Sequence, residues 1–293
     1  MKTRAYGKIN LGLRVLRKRS DGYHDIETVF HQVDIADELT FRLHERDVIF
    51  STTHPDLAND RTNLCLRAAR LLRDLTGIQD GVEITLAKNI PLGAGLGGGS
   101  ADAAVTLKSL RALWNLDISD AELHTLAVSL GSDVPFFLDG GSAYATSRGE
   151  QLEPLRLGLP YWIIVVTPPI HVSTATAYKN LRRTAEQASP ADFKSVLMKH
   201  LHEPELLAAR LVNDFEPVVF ELHPEIRDLK ETMLRLGAEA ALLTGSGSSV
   251  FALTKSETTA HTLMKELESL GRVFVTKPFF SPTNQSSPPP SEA

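Results

Sequence analysis

Apolar residues recur at two different spacings along the chain, and the changes of spacing mark out its elements. From Thr3 to about Asp47 the period is two. Leu11, Leu13 and Val15 alternate with other neighbours and Val29, Val33 and Ile35 follow, so this stretch predicts strands. Helical spacing takes over across 62–75 and stops before Gly77, a residue suited to the position just past a helix. The alternating strand Val82-Glu83-Ile84-Thr85-Leu86 comes next, then a glycine-rich run and a helix over 100–114. Ser119-Asp120-Ala121-Glu122 reads as a capping box opening a helix that runs to Leu130. Gly131-Ser132-Asp133-Val134-Pro135 breaks that helix ahead of an apolar strand at Phe136-Phe137. Further on, the pattern predicts a strand over 161–166 and helices over 174–183, 191–202, 211–221 and 225–236, the last stopped by Gly237. Strands over 240–243 and 250–253, a helix over 257–270 and a strand over 272–276 close it. This last order, helix-strand-strand-helix-strand, fits half of a split βαβ sandwich better than a doubly wound sheet.

The expected class is therefore α+β, with a β-rich α/β domain over 1–155 and a split βαβ (ferredoxin-like) domain over 156–278. Beyond Pro278, residues 279–293 are expected to be a disordered tail, since Ser286-Ser287-Pro288-Pro289-Pro290-Ser291 lacks any core-forming residue. Composition narrows the possibilities. A chain of 293 residues, 42% hydrophobic and 23% charged, is that of an ordinary globular protein. A net charge of −5 gives no reason to expect nucleic acid or an anionic membrane as partner. The lone Cys65 excludes an internal disulfide, and its helical, apolar neighbours suggest a buried small hydrophobe rather than a nucleophile. Met1-Lys2-Thr3-Arg4 runs on without the apolar core of a signal peptide, and no stretch approaches the ~20 apolar residues of a membrane span, so a cytoplasmic protein is expected.

The chemistry concentrates in Pro91-Leu92-Gly93-Ala94-Gly95-Leu96-Gly97-Gly98-Gly99-Ser100, in which five of ten residues are glycine. Such density lets the backbone take positive φ and approach a ligand, and the helix that follows adds the positive end of its dipole, making an anion site. A surface turn needs only one or two glycines. The Walker pattern fails because no lysine precedes Ser100. Gly93, Gly95 and Gly98 satisfy the dinucleotide spacing formally, but the strand before them alternates, whereas a Rossmann first strand is apolar throughout. A nucleoside triphosphate loop of another kind remains.

Two smaller segments bear on the choice. Lys8-Ile9-Asn10-Leu11-Gly12-Leu13 puts Lys8, Asn10 and Gly12 on one strand face, which taken alone is as readily a solvent-exposed face. Asp133 is pinned between a glycine and a proline, a place where an aspartate more often serves a turn than a reaction. With the glycine run, and with Thr244-Gly245-Ser246-Gly247-Ser248-Ser249-Val250-Phe251, these segments resemble the GHMP small-molecule kinases, in the family's order and over the chain up to its tail. Arg19-Ser20-Asp21-Gly22-Tyr23-His24, otherwise a plain hairpin turn at Asp21-Gly22, resembles the branch that phosphorylates a cytidine diphosphate carrying a branched polyol.

The resemblance implies the two-lobed GHMP kinase fold, ATP and Mg²⁺ as cofactors, and transfer of the γ-phosphoryl to the 2-hydroxyl of that polyol, in non-mevalonate isoprenoid precursor synthesis. Residues Pro91, Leu92, Gly93, Ala94, Gly95, Leu96, Gly97, Gly98, Gly99, Ser100 and Ala101 would hold ATP, with Ser100 at the helix N-cap reaching phosphate or Mg²⁺. Asp133 would take or orient the proton of the attacking hydroxyl, and Lys8 would keep Asp133 charged and stabilise charge at the γ-phosphoryl. Tyr23 would stack on the cytosine and His24 bond its edge, while Asn10 would contact the polyol or the lysine. Thr174 and Tyr178 lie in the family's segment with a hydroxyl followed four later by an aromatic, which makes Tyr178 the second face of a base sandwich. The usual residue there is phenylalanine. The other histidines, His31, His44 and His54 among them, have no metal-like spacing and are expected at the surface. A small-molecule partner, no nucleic acid, no membrane, and a monomer or homodimer complete the expectation. Rival readings are a homoserine or mevalonate kinase, with no use for Tyr23 and His24, a decarboxylating relative, or a ligand-sensing relative without turnover.

Overall fold

The computed structural model describes residues 1–57, 60–181 and 191–282. Its first half is organised by one long antiparallel hairpin, β1 (Lys2–Lys18) and β2 (His24–His44), turned at Asp21-Gly22 with Gly22 at φ +87°. β3 (Val48–Thr52), β4 (Gly81–Ala87), β5 (Ser142–Thr146) and β6 (Gln151–Leu155) extend it into a sheet of order β3-β4-β2-β5-β6, with β1 also on β2. β4 buries Val82, Ile84 and Leu86 and turns Glu83 and Thr85 outward, the alternation that argued against a Rossmann strand. α1 (Leu64–Thr76), α2 (Gly98–Leu113) and α3 (Asp120–Leu130) bury their apolar stripes in a core shared with Phe41, Phe50 and Ile84. Asn63 caps α1 through its side chain, Gly77 ends it at φ +71°, and both halves of the Ser119–Glu122 capping box are formed at α3.

Residues 136–139 form a short helix, α4 (Phe136–Asp139), where a strand was expected. Pro135 carries helical φ, the Phe137 amide donates to Val134 O, and Gly140 closes the turn on Phe136 O. All of Phe136, Phe137 and Leu138 are buried, so the run carries no periodicity from which helix and strand could be told apart.

The second half is a sheet of β7 (Trp162–Thr167), β8 (Ala240–Leu243), β9 (Val250–Thr254) and β10 (Arg272–Thr276), antiparallel throughout in the order β10-β7-β9-β8. That is the strand order of a split βαβ sandwich. α5 (Thr174–Lys179) ends earlier than expected, and 182–190 lie outside the described residues. α6 (Phe193–His200) is in place. The helix expected over 211–221 starts only at Glu216, as α8 (Glu216–Leu222), and a further helix that was not expected, α7 (Pro204–Arg210), precedes it. The chain between them leaves helical geometry because the Leu13 amide takes Val212 O and the Asp214 amide returns to Leu13 O. α9 (Pro224–Arg235) and α10 (Glu257–Leu267) pack on the far side of this sheet.

The two sheets meet in one core, where Ile9, Leu11, Val33 and Ile35 lie with Leu159, Ile163 and Phe251. Of the expected tail, Phe279 donates its amide to Leu159 O at 2.8 Å and Phe280 sets its ring 5.6 Å from Tyr6, while 283–293 lie outside the described residues. Cys65 is buried in α1 as expected, and burial pushes its thiol up to about 12. His31 is not at the surface. It is 4% exposed on β2, its Nδ1 is 2.7 Å from Ser142 Oγ, and burial pushes its pKa down to about 4. No helix among the described residues is long and apolar enough to cross a membrane.

Candidate active site

The polar face of β1 is buried rather than solvated: Lys8 is 3% and Asn10 1% exposed. A buried ammonium needs acceptors around it. Lys8 Nζ donates to Asn10 Oδ1 at 2.6 Å and to Gly95 O at 3.1 Å, and stands 3.7 Å from Asp133 Oδ2. Burial lowers the lysine pKa, and the charge and hydrogen bond of Asp133 oppose that fall. Asp133 itself, on the turn between α3 and α4, is only partly buried and so open to a ligand. Between its two alternatives, Asn10 is placed on the lysine. Its Nδ2 is taken by Thr28 Oγ1 at 2.9 Å, and its Oδ1 accepts from Lys8 and from the Gly245 amide at 2.9 Å. Asn10 is thus a bridge between Lys8 and the 244–249 loop.

In the glycine run, Gly93, Gly95 and Gly97 take φ of +62°, +79° and +69°, while Gly98 and Gly99 are already helical. The N-cap of α2 is Gly97, so Ser100 is the third helical residue and not the cap. Glycine as N-cap brings no side chain to compete for the first N–H groups, which leaves them for an anion. Gly93, Gly95 and Gly97 line the cleft, whereas the side chains of Ala94, Leu96 and Ala101 are in the cores below. The loop is docked backbone to backbone on the 244–249 loop: a Cβ on Gly95 would lie 2.1 Å from Thr244 O, and one on Gly245 would lie 3.2 Å from Gly95 Cα. Beneath the start of α2, Lys88 is buried between Asp37 and Asp102, with the Asp102 contact at 2.8 Å. Burial pushes Asp102 up to about 7.

A cleft of about 660 Å³ joins these parts, and Tyr23, His24, Asp133, Thr174 and Tyr178 line it together with Lys8 and Asn10. The aromatic set assembles differently from a simple sandwich. His24 stacks on Tyr178 at 4.9 Å and 22°, and Tyr178 is set edge-on to Phe215 at 4.8 Å. His24 therefore covers one face of the Tyr178 ring. Burial and the charge of Lys18 lower the His24 pKa, which favours the neutral ring. Thr174 Oγ1 is 2.8 Å from Ser246 Oγ, tying the start of α5 to the 244–249 loop. Among residues not singled out from sequence, Arg148, Phe215 and Gly245 also line the cleft. Gly245 sits in the quoted 244–251 segment, but Arg148 and Phe215 carry no spacing signal of their own.

Residues 63–141 match the GHMP kinases N terminal domain and residues 197–273 the GHMP kinases C terminal family. A 4-diphosphocytidyl-2-C-methyl-D-erythritol kinase of Prosthecochloris aestuarii is 45% identical over 280 residues, 95% of this chain and 97% of that protein. The chain belongs to the GHMP kinase family. A kinase of the same name from Chlorobaculum tepidum is 44% identical over 93% of this chain and 96% of its own. The crystal structure of a 4-(cytidine 5'-diphospho)-2C-methyl-D-erythritol kinase superposes with a TM-score of 0.82 at 36% identity, over 94% of this chain and 98% of that one. The Methanococcus jannaschii mevalonate kinase, at 17% identity and a TM-score of 0.73 over 96% and 98% of the two chains, shares the fold. In this GHMP kinase the glycine run reaches Lys8 directly and the 244–249 loop reaches it through Asn10, although the three segments are far apart in sequence.

Proposed function

We propose that the chain transfers the γ-phosphoryl of ATP to the 2-hydroxyl of 4-diphosphocytidyl-2-C-methyl-D-erythritol. The observation that carries this reading is the Lys8–Asp133 pair, 3.7 Å apart, in a cleft walled on one side by the glycine run and on the other by Tyr23, His24 and Tyr178. Phosphoryl transfer asks the protein for positioning and charge stabilisation. The uncapped start of α2 and the positive-φ glycines suit the triphosphate. The acceptor oxygen bonds to the γ-phosphorus as the bond to ADP breaks, and its proton passes to Asp133. Lys8, held by Asn10 and Gly95 O, sets a fixed positive charge beside that carboxylate. Tyr23, His24 and Tyr178 are the groups for the cytosine.

Mg²⁺ belongs to this proposal as a partner of the triphosphate. Among the described residues no cluster of three or more His, Cys, Asp or Glu side chains could hold a metal, which fits an ion carried chiefly by phosphate oxygens and waters. The Ser100 hydroxyl, on the first turn of α2, is the protein group that would meet it. When bound, the ion would neutralise charge on the phosphates. The same reading gives two lobes over 1–155 and 156–278 and a cytoplasmic monomer or homodimer.

ADP release measures the proposal directly. The purified chain with ATP should turn over the cytidine diphosphate polyol and leave the free polyol phosphate, mevalonate and homoserine untouched. Turnover of mevalonate or homoserine with none of the cytidine compound would overturn the substrate while leaving the family membership intact.

A further inference from the structure

Lys8 cannot serve as a general anion binder, because Asn10, Gly95 O and Asp133 already surround its Nζ. One other cation lines the cleft among the described residues, Arg148 on the turn between β5 and β6. Its guanidinium lies 5.0 Å from the centroid of the Tyr23 ring, and its Nε reaches Glu150 Oε1 at the long distance of 3.5 Å. Its two terminal nitrogens have no hydrogen-bond partner among the described residues, and the side chain is 26% exposed. The turn is held rigidly: Ser147 Oγ accepts from Arg19 at 3.1 Å and donates to Glu150 Oε1 at 3.0 Å, and the Arg148 amide donates to Glu150 Oε2 at 2.8 Å. The next residue, Gly149, lies against the reacting end, since a Cβ there would stand 3.7 Å from Asp133 Oδ1. Arg148 is thereby fixed between the ring that faces the base and the carboxylate that faces the hydroxyl.

The acceptor named above has the same order of parts: base, diphosphate, polyol. Its two bridging phosphates each carry a negative charge, and the fixed charges of Lys8 and Asp133 balance each other across the cleft. We propose that Arg148 is the specificity-determining residue that binds the diphosphate of the acceptor. A planar guanidinium with both terminal nitrogens open matches phosphate oxygens in a way an ammonium does not. The proposal rests on the cytidine diphosphate reading of the substrate, and binding measurements separate the two.

With the ATP site filled by a non-hydrolysable analogue, calorimetric titration compares cytidine, CMP and CDP on the full chain, Arg148→Gln and Arg148→Lys. The wild-type chain should bind CDP more tightly than cytidine. Arg148→Gln should weaken CDP roughly ten- to a hundredfold and leave cytidine within about twofold, the signature of a lost charged hydrogen bond. Arg148→Lys should recover part of the CDP affinity. A melting temperature measured on each variant checks that it is folded. Equal weakening of cytidine and CDP would reduce Arg148 to a support for the Tyr23 ring and overturn the proposal, as would unchanged CDP binding. A wild-type chain that binds neither ligand would instead overturn the cytidine reading itself.

Discussion

A lysine with three acceptors around its Nζ is a fixed charge, and its counter-charge, Asp133, is the more open of the two. Replacing Asp133 by asparagine keeps the shape and removes both the proton acceptor and the anion that supports the buried ammonium. The expected result is a fall in kcat of roughly 10²–10⁴-fold with ATP affinity within a few-fold of wild type, read by steady-state ADP release and by ATP titration. Turnover within about tenfold would remove Asp133 from the reaction. The types of these side chains were legible in the sequence, but their burial was not. Alternation on β1 is the same whether its polar face meets water or a second loop, and the 244–249 loop that covers it is more than 230 residues away in the chain. His31 was misplaced for a different reason. The lack of metal-like spacing says nothing about burial, and on β2 His31 shares the parity of the buried Val29, Val33 and Ile35 and pairs with Ser142 of β5.

Among the elements, the glycine run and α2 act as one piece with the 244–249 loop. Gly95 holds φ +79°, and its Cα faces a carbonyl that leaves no room for a methyl group. Gly95→Ala should therefore lower stability by ~1–3 kcal/mol and push the loop away from Lys8, weakening ATP along with it. Chemical denaturation and ATP titration on the same preparation give both numbers, and a variant with wild-type values in each would contradict the tight docking. Caps and stops were legible here, Ser119 and Gly77 in particular, because they depend on residues within one turn. The start of α2 was placed two residues late because a glycine N-cap has no side-chain signature. α4 and the gap between α7 and α8 were missed because long-range contacts decide them: burial against Phe30 in one case, the hydrogen bonds of Leu13 in the other.

At the scale of the whole molecule, two sheets with separate strand orders share one apolar core, so the lobes should not unfold apart. The chain's two tryptophans report on the two halves. Trp114 follows α2 beside the first sheet, and Trp162 opens β7 in the second. In Trp114→Phe and Trp162→Phe, the fluorescence of the remaining indole and the far-ultraviolet circular dichroism should lose their native signals at one denaturant concentration. Separated midpoints would show lobes that fold independently. The α+β class and the split βαβ order were legible because element sequence limits topology; how the sheets join was not, since both contribute strands that are apolar on the joining face. The core of the first half, under α1, gives Cys65 a use beyond chemistry. As the only thiol of the chain, 2% exposed and pushed up to about 12, it meets a thiol reagent only when α1 leaves the core. The rate at which this single sulfur is labelled is then a clock for the opening of the first half, and any new cysteine placed on the surface can be tagged against a silent background.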